Sequence, residues 1–324
     1  MSTSIVRRAL LYVPGSSTKM LQKSRGLDVD CIAYDLEDSV TPGRKAEART
    51  NLRQLFEQPR AEGIREQAVR INAVETGLAL DDLTEVLKAP NVDTVVVPKV
   101  NSASDLHFVT DVLRHTLPTR HPSTTPSSSP NSQTQPPVRI LALIESAKSL
   151  SNLSSICTAS PYLSGLVFAA EDFALDLSIT RTPSLSEFLY ARSTIATACR
   201  AHELPSTIDL VCTSFRGEQG LQTLEEECLG GKGLGFNGKQ LIHPGQVDVC
   251  QRTFSPGEAE VEWAVRVVVA DEKADVAGRG AWTLDGKMID APVVGKAKAV
   301  VKRAELCGID VDAVRRKWKD QEPE

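Results

Sequence analysis

No C-x-x-C pair occurs among the seven cysteines. That gap, with the odd count, argues against a disulfide framework or a zinc cage and suits a reducing compartment. The five histidines are scattered without H-x-x-x-H spacing, so a bound metal is expected to be hard and oxygen-ligated. There is no long basic run, and 37 basic against 42 acidic residues give a net charge of -5. Nucleic acid is therefore not expected as a partner. A local arginine or lysine pocket can still bind a small acidic metabolite. No apolar run reaches the roughly 18 residues of a membrane span, and no membrane association is expected. The opening "MSTSIVRRALLYVPG" enters a strand-like segment at once. It leaves no room for a signal peptide and little for a transit peptide, so a mitochondrial or cytoplasmic location is expected. Finally, no G-x-G-x-x-G follows the first strand-like run, which weighs against a doubly wound dinucleotide fold.

What is present is a rhythm. Eight short apolar or β-branched runs recur with helical stretches between them: "RALLYVP", "CIAYDLE", "AVRIN", "TVVVPKV", "RILALIE", "GLVFAAED", "TIDLVC" and "GKQLIH". Eight βα units in roughly 250 residues predict a (β/α)8 TIM-type barrel. Thr41-Pro42 offers an N-cap and a proline at the first helical position. Ser102 and Asp105 stand in capping-box register before apolar positions 106, 109, 112 and 113. The expected barrel spans 1–253. Within it, 118–137 holds 15 Pro, Ser or Thr in 20 residues, which predicts a disordered insertion at the face opposite the mouth. A C-terminal helical extension is expected over 254–324, too apolar to be disordered and packed on this barrel or a neighbour.

In a βα barrel the reactive groups gather at the C-terminal ends of the strands. There the sequence places Glu37 and Asp38, Arg70 and Asn72, Lys99, Glu145, and Glu171 with Asp172. Strands 5 and 6 are neighbours, so Glu145 falls within reach of Asp172 or Glu171. Two close carboxylates need a proton or a cation between them. With no clustered His or Cys, Mg2+ fits, since it takes one or two carboxylates and keeps sites for substrate oxygens. Arg70 could clamp a carboxylate or an enolate oxygen, or simply pair with Glu37 or Asp38. Lys99 could form a Schiff base or tie strand ends together. His243 could touch ligand or brace its turn.

The segments "RRALLYVPGSSTKM", "YDLEDSV", "VRIN", "VVVPKV", "LIESAKSL", "VFAAEDF", "GFNGKQLIHPGQV" and "GKMIDAPVV" together resemble the citrate lyase beta subunit-like group of the HpcH/HpaI aldolase superfamily, over nearly the whole chain. The resemblance implies a homotrimeric (β/α)8 barrel with a C-terminal lid. It would be a Mg2+-dependent (or Mn2+-dependent) carbon–carbon lyase that cleaves or forms a 3-hydroxyacyl-CoA such as citramalyl-CoA or malyl-CoA, with acetyl-CoA and a 2-oxo acid as the other side of the reaction. By the same resemblance Glu145 and Asp172 are metal ligands and Arg70 is the substrate arginine. Tyr12 and Lys19, in the loop after strand 1, hold the CoA part together with Ile242 and His243. Asp290 is the acid/base carried on the lid, and Glu37, Asp38 and Glu171 stand behind the ligands. The alternatives are a lyase acting on a carrier-bound citryl thioester, a Schiff-base aldolase using Lys99, and a non-catalytic scaffold.

Overall fold

A computed structural model describes residues 5–120 and 136–324. The chain divides into two compact units, Arg7–Arg252 and Thr253–Glu324. In the first, among the described residues, eight parallel strands close on themselves: β1 (Ala9–Pro14), β2 (Val29–Asp35), β3 (Ile64–Arg70), β4 (Thr94–Val97), β5 (Arg139–Ile144), β6 (Leu163–Phe168), β7 (Ser206–Asp209) and β8 (Gly238–Leu241). Each pairs in parallel with the next, and β8 pairs with β1. The fold is the (β/α)8 barrel that the eight-fold rhythm predicts.

Alternation decides what each strand residue faces. Leu10, Cys31, Ala33, Ala68, Val96, Leu141, Leu143, Val167 and Ile208 form one buried cluster, with Tyr12 and Ala169 packed against it. Gly165 has no room for a side chain, because a Cβ there would lie 2.4 Å from the Ser206 carbonyl oxygen. Beside this apolar layer Arg7 is fully buried, its Nε 2.5 Å from Glu66 Oε2 and its Nη1 bonded to the hydroxyls of Ser164 (3.0 Å) and Ser206 (2.9 Å). Arg7 precedes β1, and Glu66, Ser164 and Ser206 lie in the first halves of their strands, so this cluster forms the barrel floor.

Every strand but the first stops short of its sequence-pattern end. "GLVFAAED" leaves the ladder at Phe168, and Glu171 and Asp172 lie in the first turn of the helix Ala170–Leu177. Glu145 likewise follows the last rung, where Ala169 N–H donates to the Ile144 carbonyl at 3.1 Å. The acids are thus not strand residues: each follows the last rung of its strand. The Pro42 signal is read first as a 3-10 turn, Pro42–Arg44, and then as the helix Lys45–Glu57. Ser102 N–H donates to Asp105 Oδ2 at 2.9 Å at the head of the helix Ala103–Thr116.

Most of the disorder expected over 118–137 lies outside the described residues. Its described flank is ordered, which corrects that expectation at its edge. Arg120 is buried and donates to the carbonyls of Pro136, Pro90 and Val92 at 2.9, 3.2 and 3.0 Å. Three backbone acceptors are enough to hold a buried guanidinium.

The second unit is not purely helical. Between the helices Glu258–Val276 and Ala291–Leu306 stands a hairpin of β9 (Trp282–Leu284) and β10 (Lys287–Ile289). Its two-residue turn, Asp285-Gly286, has φ of 50° and 72°, the paired positive angles that match the twist of a tight hairpin. Ala264, Val267, Trp282, Leu284, Ile289 and Ala297 give this unit its own core. No helix among the described residues is long and apolar enough to cross a membrane.

Candidate active site

β2 and β3 end side by side, with Asp35 opposite Arg70 in the ladder. The Arg70 guanidinium grips Asp35 in a fork, Nε to Oδ1 at 2.7 Å and Nη2 to Oδ2 at 2.8 Å. It also pairs through Nη1 with Glu37 Oε2 at 2.9 Å. Below it lies the Tyr12 ring, 4.6 Å from ring centroid to guanidinium carbon, a cation–π contact. Asp35 is fully buried and accepts in addition from the N–H groups of Glu37 (2.8 Å) and Ser39 (3.0 Å). Burial alone would raise its carboxyl, but Arg70 and these donors hold it below the usual aspartate range. Arg70 has five N–H donors, and these contacts account for three, leaving two for a ligand.

Lys99 follows β4 with a left-handed backbone, φ 51°, a conformation that costs a non-glycine residue of order 1 kcal/mol and persists where surroundings enforce it. Its Nζ lies 2.8 Å from Glu37 Oε1. Burial alone would lower the ammonium pKa, but Glu37 reverses that and keeps it above the ordinary lysine value. A Schiff base needs a free amine lone pair. Lys99 is instead a bridge between the ends of β2 and β4.

Glu145 is buried, and it is pushed up to about 8, by burial first and then by the charges of Asp172 and Glu37. Asp172 is half-buried at the start of the helix Ala170–Leu177. No group of three or more His, Cys, Asp or Glu able to hold a metal occurs among the described residues. A cation at Glu145 and Asp172 would therefore complete its shell with water or substrate oxygens. The test of fit is the electrostatics: an acid so raised faces carboxylates while Arg70 and Lys99 are already paired. An all-oxygen donor set in that condition fits a hard dication such as Mg2+ or Mn2+.

Other expected residues fall elsewhere. Tyr12 lies within β1, not in the loop after it, because the inward position of the strand continues to residue 12. Its hydroxyl donates to Gln240 Oε1 at 2.9 Å. Lys19 is exposed on the short helix Thr18–Ser24, and Ile242 and His243 are exposed past β8. Since β8 neighbours β1, these loops share one side of the mouth. His243 accepts from Gly245 N–H at 3.1 Å and stacks on Phe215, so it braces its turn. Asp38 is exposed and 3.9 Å from Arg70. Asp290 caps the helix Ala291–Leu306, its Oδ1 accepting from Val293 N–H at 3.2 Å. Two residues escaped sequence reasoning, Asp35 and Gln240. The first is the last residue of β2, inside the apolar run "CIAYDLE", and its role shows only in the register of β2 against β3.

A closed βα barrel whose mouth gathers one stacked arginine among several buried carboxylates belongs to the class of barrel enzymes. The chain is a member of the HpcH/HpaI aldolase/citrate lyase family, whose model matches residues 8–244. It is 33% identical over 309 residues to human mitochondrial citramalyl-CoA lyase, covering 93% of this chain and 86% of the relative. To the citrate lyase subunit beta of Haemophilus influenzae it is 35% identical, covering 93% of this chain and 97% of that one. Among solved structures it matches the protein CitE from Mycobacterium tuberculosis in complex with magnesium, acetoacetate and coenzyme A, with TM-score 0.70 and 25% identity, over 94% of this chain and 100% of that one.

Proposed function

We propose that this protein is a Mg2+-dependent carbon–carbon lyase that cleaves, or in reverse forms, a 3-hydroxyacyl-CoA such as citramalyl-CoA or malyl-CoA, giving acetyl-CoA and a 2-oxo acid. The observation that carries it is the raised Glu145 facing Asp172 beside an arginine with two free donors. The lyase names of the human and Haemophilus relatives and the magnesium and coenzyme A bound by the mycobacterial protein support the same reading. The mitochondrial human relative supports that compartment.

Glu145 and Asp172 would hold the cation. When bound, it supplies positive charge to the oxygens of the substrate. Arg70, fixed by Asp35 and Tyr12, uses its two free N–H groups to orient the substrate carboxylate. Lys19, Ile242 and His243 line the side of the mouth that receives the CoA part. In cleavage the C3 hydroxyl gives its proton to solvent water, its oxygen becomes the carbonyl of the 2-oxo acid, and the C2–C3 bond breaks with its electron pair going to C2. Asp290 then donates the proton that completes the acetyl methyl group. In condensation it removes that proton, as microscopic reversibility requires. Asp290 belongs to the separate C-terminal unit, and in our reading that unit serves the mouth of a neighbouring subunit in a homotrimer.

The test is a panel of malyl-CoA, citramalyl-CoA and citryl-CoA, each with Mg2+ and with EDTA. Cleavage of one or more with Mg2+, lost in EDTA, is expected. Inactivity toward all three would overturn the reading. Cleavage confined to carrier-protein thioesters would favour the second reading, which the 35% identity to a citrate lyase subunit supports.

A further inference from the structure

A row of charges, buried at Arg192, Asp209 and Lys239 and reaching the surface at Glu171, takes no part in the chemistry above. Lys239 sits on β8 and, since its neighbour Gln240 bonds inward to the Phe168 carbonyl at 2.8 Å, alternation turns Lys239 outward, toward the helical layer. There it is fully buried. Its Nζ lies 3.8 Å from Asp209 Oδ2 and 3.0 Å from Glu227 Oε2. Asp209, at the end of β7, is held in turn by Arg192, with Nη2 to Oδ2 at 2.6 Å and Nε to Oδ1 at 3.0 Å. Glu227, on the helix Gly217–Leu234, passes the row on to Arg181 at 2.7 Å. Arg181 then donates to Glu171 at 2.6 Å and to the Val211 carbonyl at 3.0 Å.

The signs alternate without a break: Arg192, Asp209, Lys239, Glu227, Arg181, Glu171. The backbone makes room for the row, since a Cβ on Gly231 would lie 2.5 Å from Asp209 Oδ2 and 3.4 Å from Arg192 Nη2. Interfaces between a sheet and its helices are ordinarily apolar, and a buried ion costs several kcal/mol in desolvation. Replacing such pairs with apolar residues is often neutral or stabilising. Stability alone is thus a poor reason for burying Arg192, Asp209 and Lys239 here, and where the row ends offers a better one. Glu171 immediately precedes Asp172, in the first turn of the helix Ala170–Leu177. Arg181, ten residues along the chain, folds back to clamp that turn against the end of β7 and the helix Gly217–Leu234.

We infer that this charge row is a positioning device for the candidate metal ligand Asp172, with Arg181 as its working link. The inference rests on the reading of Asp172 as a ligand. Arg181 touches neither substrate nor cation. It sets the position of the turn that presents the carboxylate, and groups that orient a ligand are typically worth about 10- to 100-fold in metal affinity.

The experiment measures Mn2+ binding to the free protein, from the electron paramagnetic resonance signal of unbound Mn2+, for the wild type, Arg181→Met, Arg181→Lys, Glu171→Gln and Asp172→Asn. Wild-type binding lost in Asp172→Asn is expected. Arg181→Met is expected to raise the Kd about tenfold or more, with partial recovery in Arg181→Lys, which keeps the charge but not the three-way fork. Should Arg181→Met fail to fold, Arg181→Lys and the half-exposed Glu171→Gln answer the same question by their Kd. Wild-type Kd values in the folded Arg181 and Glu171 variants, with Asp172→Asn defective, would overturn this inference alone. If Asp172→Asn binds Mn2+ as the wild type does, the ligand assignment falls, and this inference with it.

Discussion

At the scale of single residues the site is a matter of which charges are already spent. Arg70 and Lys99 are committed to Asp35 and Glu37, so neither is free to neutralise Glu145 and Asp172. Glu145→Gln and Asp172→Asn are each expected to reduce Mg2+-dependent turnover to background with an unchanged far-ultraviolet circular dichroism spectrum, because a neutral amide relieves the repulsion but binds a dication poorly. Turnover retained by either variant would remove that residue from the site. Arg70→Lys keeps the charge but loses the fork and the flat face over Tyr12. A fall of about 100-fold in kcat/KM is expected, and near wild-type kinetics would show that a point charge suffices. Most of these residues were legible in the sequence, because barrel logic points to polar groups after apolar runs. Asp35 was not. It sits inside the apolar run "CIAYDLE", and only the ladder register of β2 against β3 reveals that it faces Arg70.

At the scale of elements, all eight strands were legible from apolar runs, but their ends were not, because side-chain pattern does not say where the last backbone rung is made. The β9–β10 hairpin was missed for a different reason. Its strands have three residues each, too short for alternation to register, and only the Asp285-Gly286 pair signals the turn. The barrel floor carries a pH prediction. Burial tends to raise the Glu66 carboxyl, yet Arg7 and Thr94 hold it below the ordinary glutamate value. A depressed folded value stabilises the fold fully above the unfolded value, near about 4.3, and that contribution is lost as the pH falls through the folded value. Glu66→Gln should therefore cost about 3–5 kcal/mol near neutral pH, and the gap in urea midpoint from the wild type should narrow as the pH falls below the unfolded glutamate value. A gap indifferent to pH would assign the loss to packing. The Arg120 clasp carries another prediction. Joining the chain across 121–135 while sparing Arg120 and Pro136 is expected to leave turnover within about twofold, since αβ loops lie opposite the mouth. A large loss in a folded variant would show that the segment matters to catalysis.

At the scale of the whole molecule, the C-terminal unit has its own core and presents Asp290 at the head of a helix. If that acid serves a neighbour, Asp290→Asn and Glu145→Gln proteins, each inactive alone, should regain partial activity once co-assembled, because some interfaces then join an intact metal site to an intact acid. Mixed assemblies as inactive as their parents would confine Asp290 to its own subunit or exclude it from the reaction. The barrel floor bears on this scale as well. Arg7, Glu66 and the apolar layer seal the barrel at one end, so both products must leave through the same opening. In the proposed reaction the 2-oxo acid, held at Arg70, would be covered by the thioester. Release is then expected in sequence, acetyl-CoA first and the oxo acid second, with the oxo acid entering before acetyl-CoA in synthesis. The kinetic signature is an ordered mechanism, in which an analogue of acetyl-CoA inhibits competitively against acetyl-CoA and uncompetitively against the oxo acid, whereas noncompetitive inhibition against the oxo acid would mean that either partner can enter first.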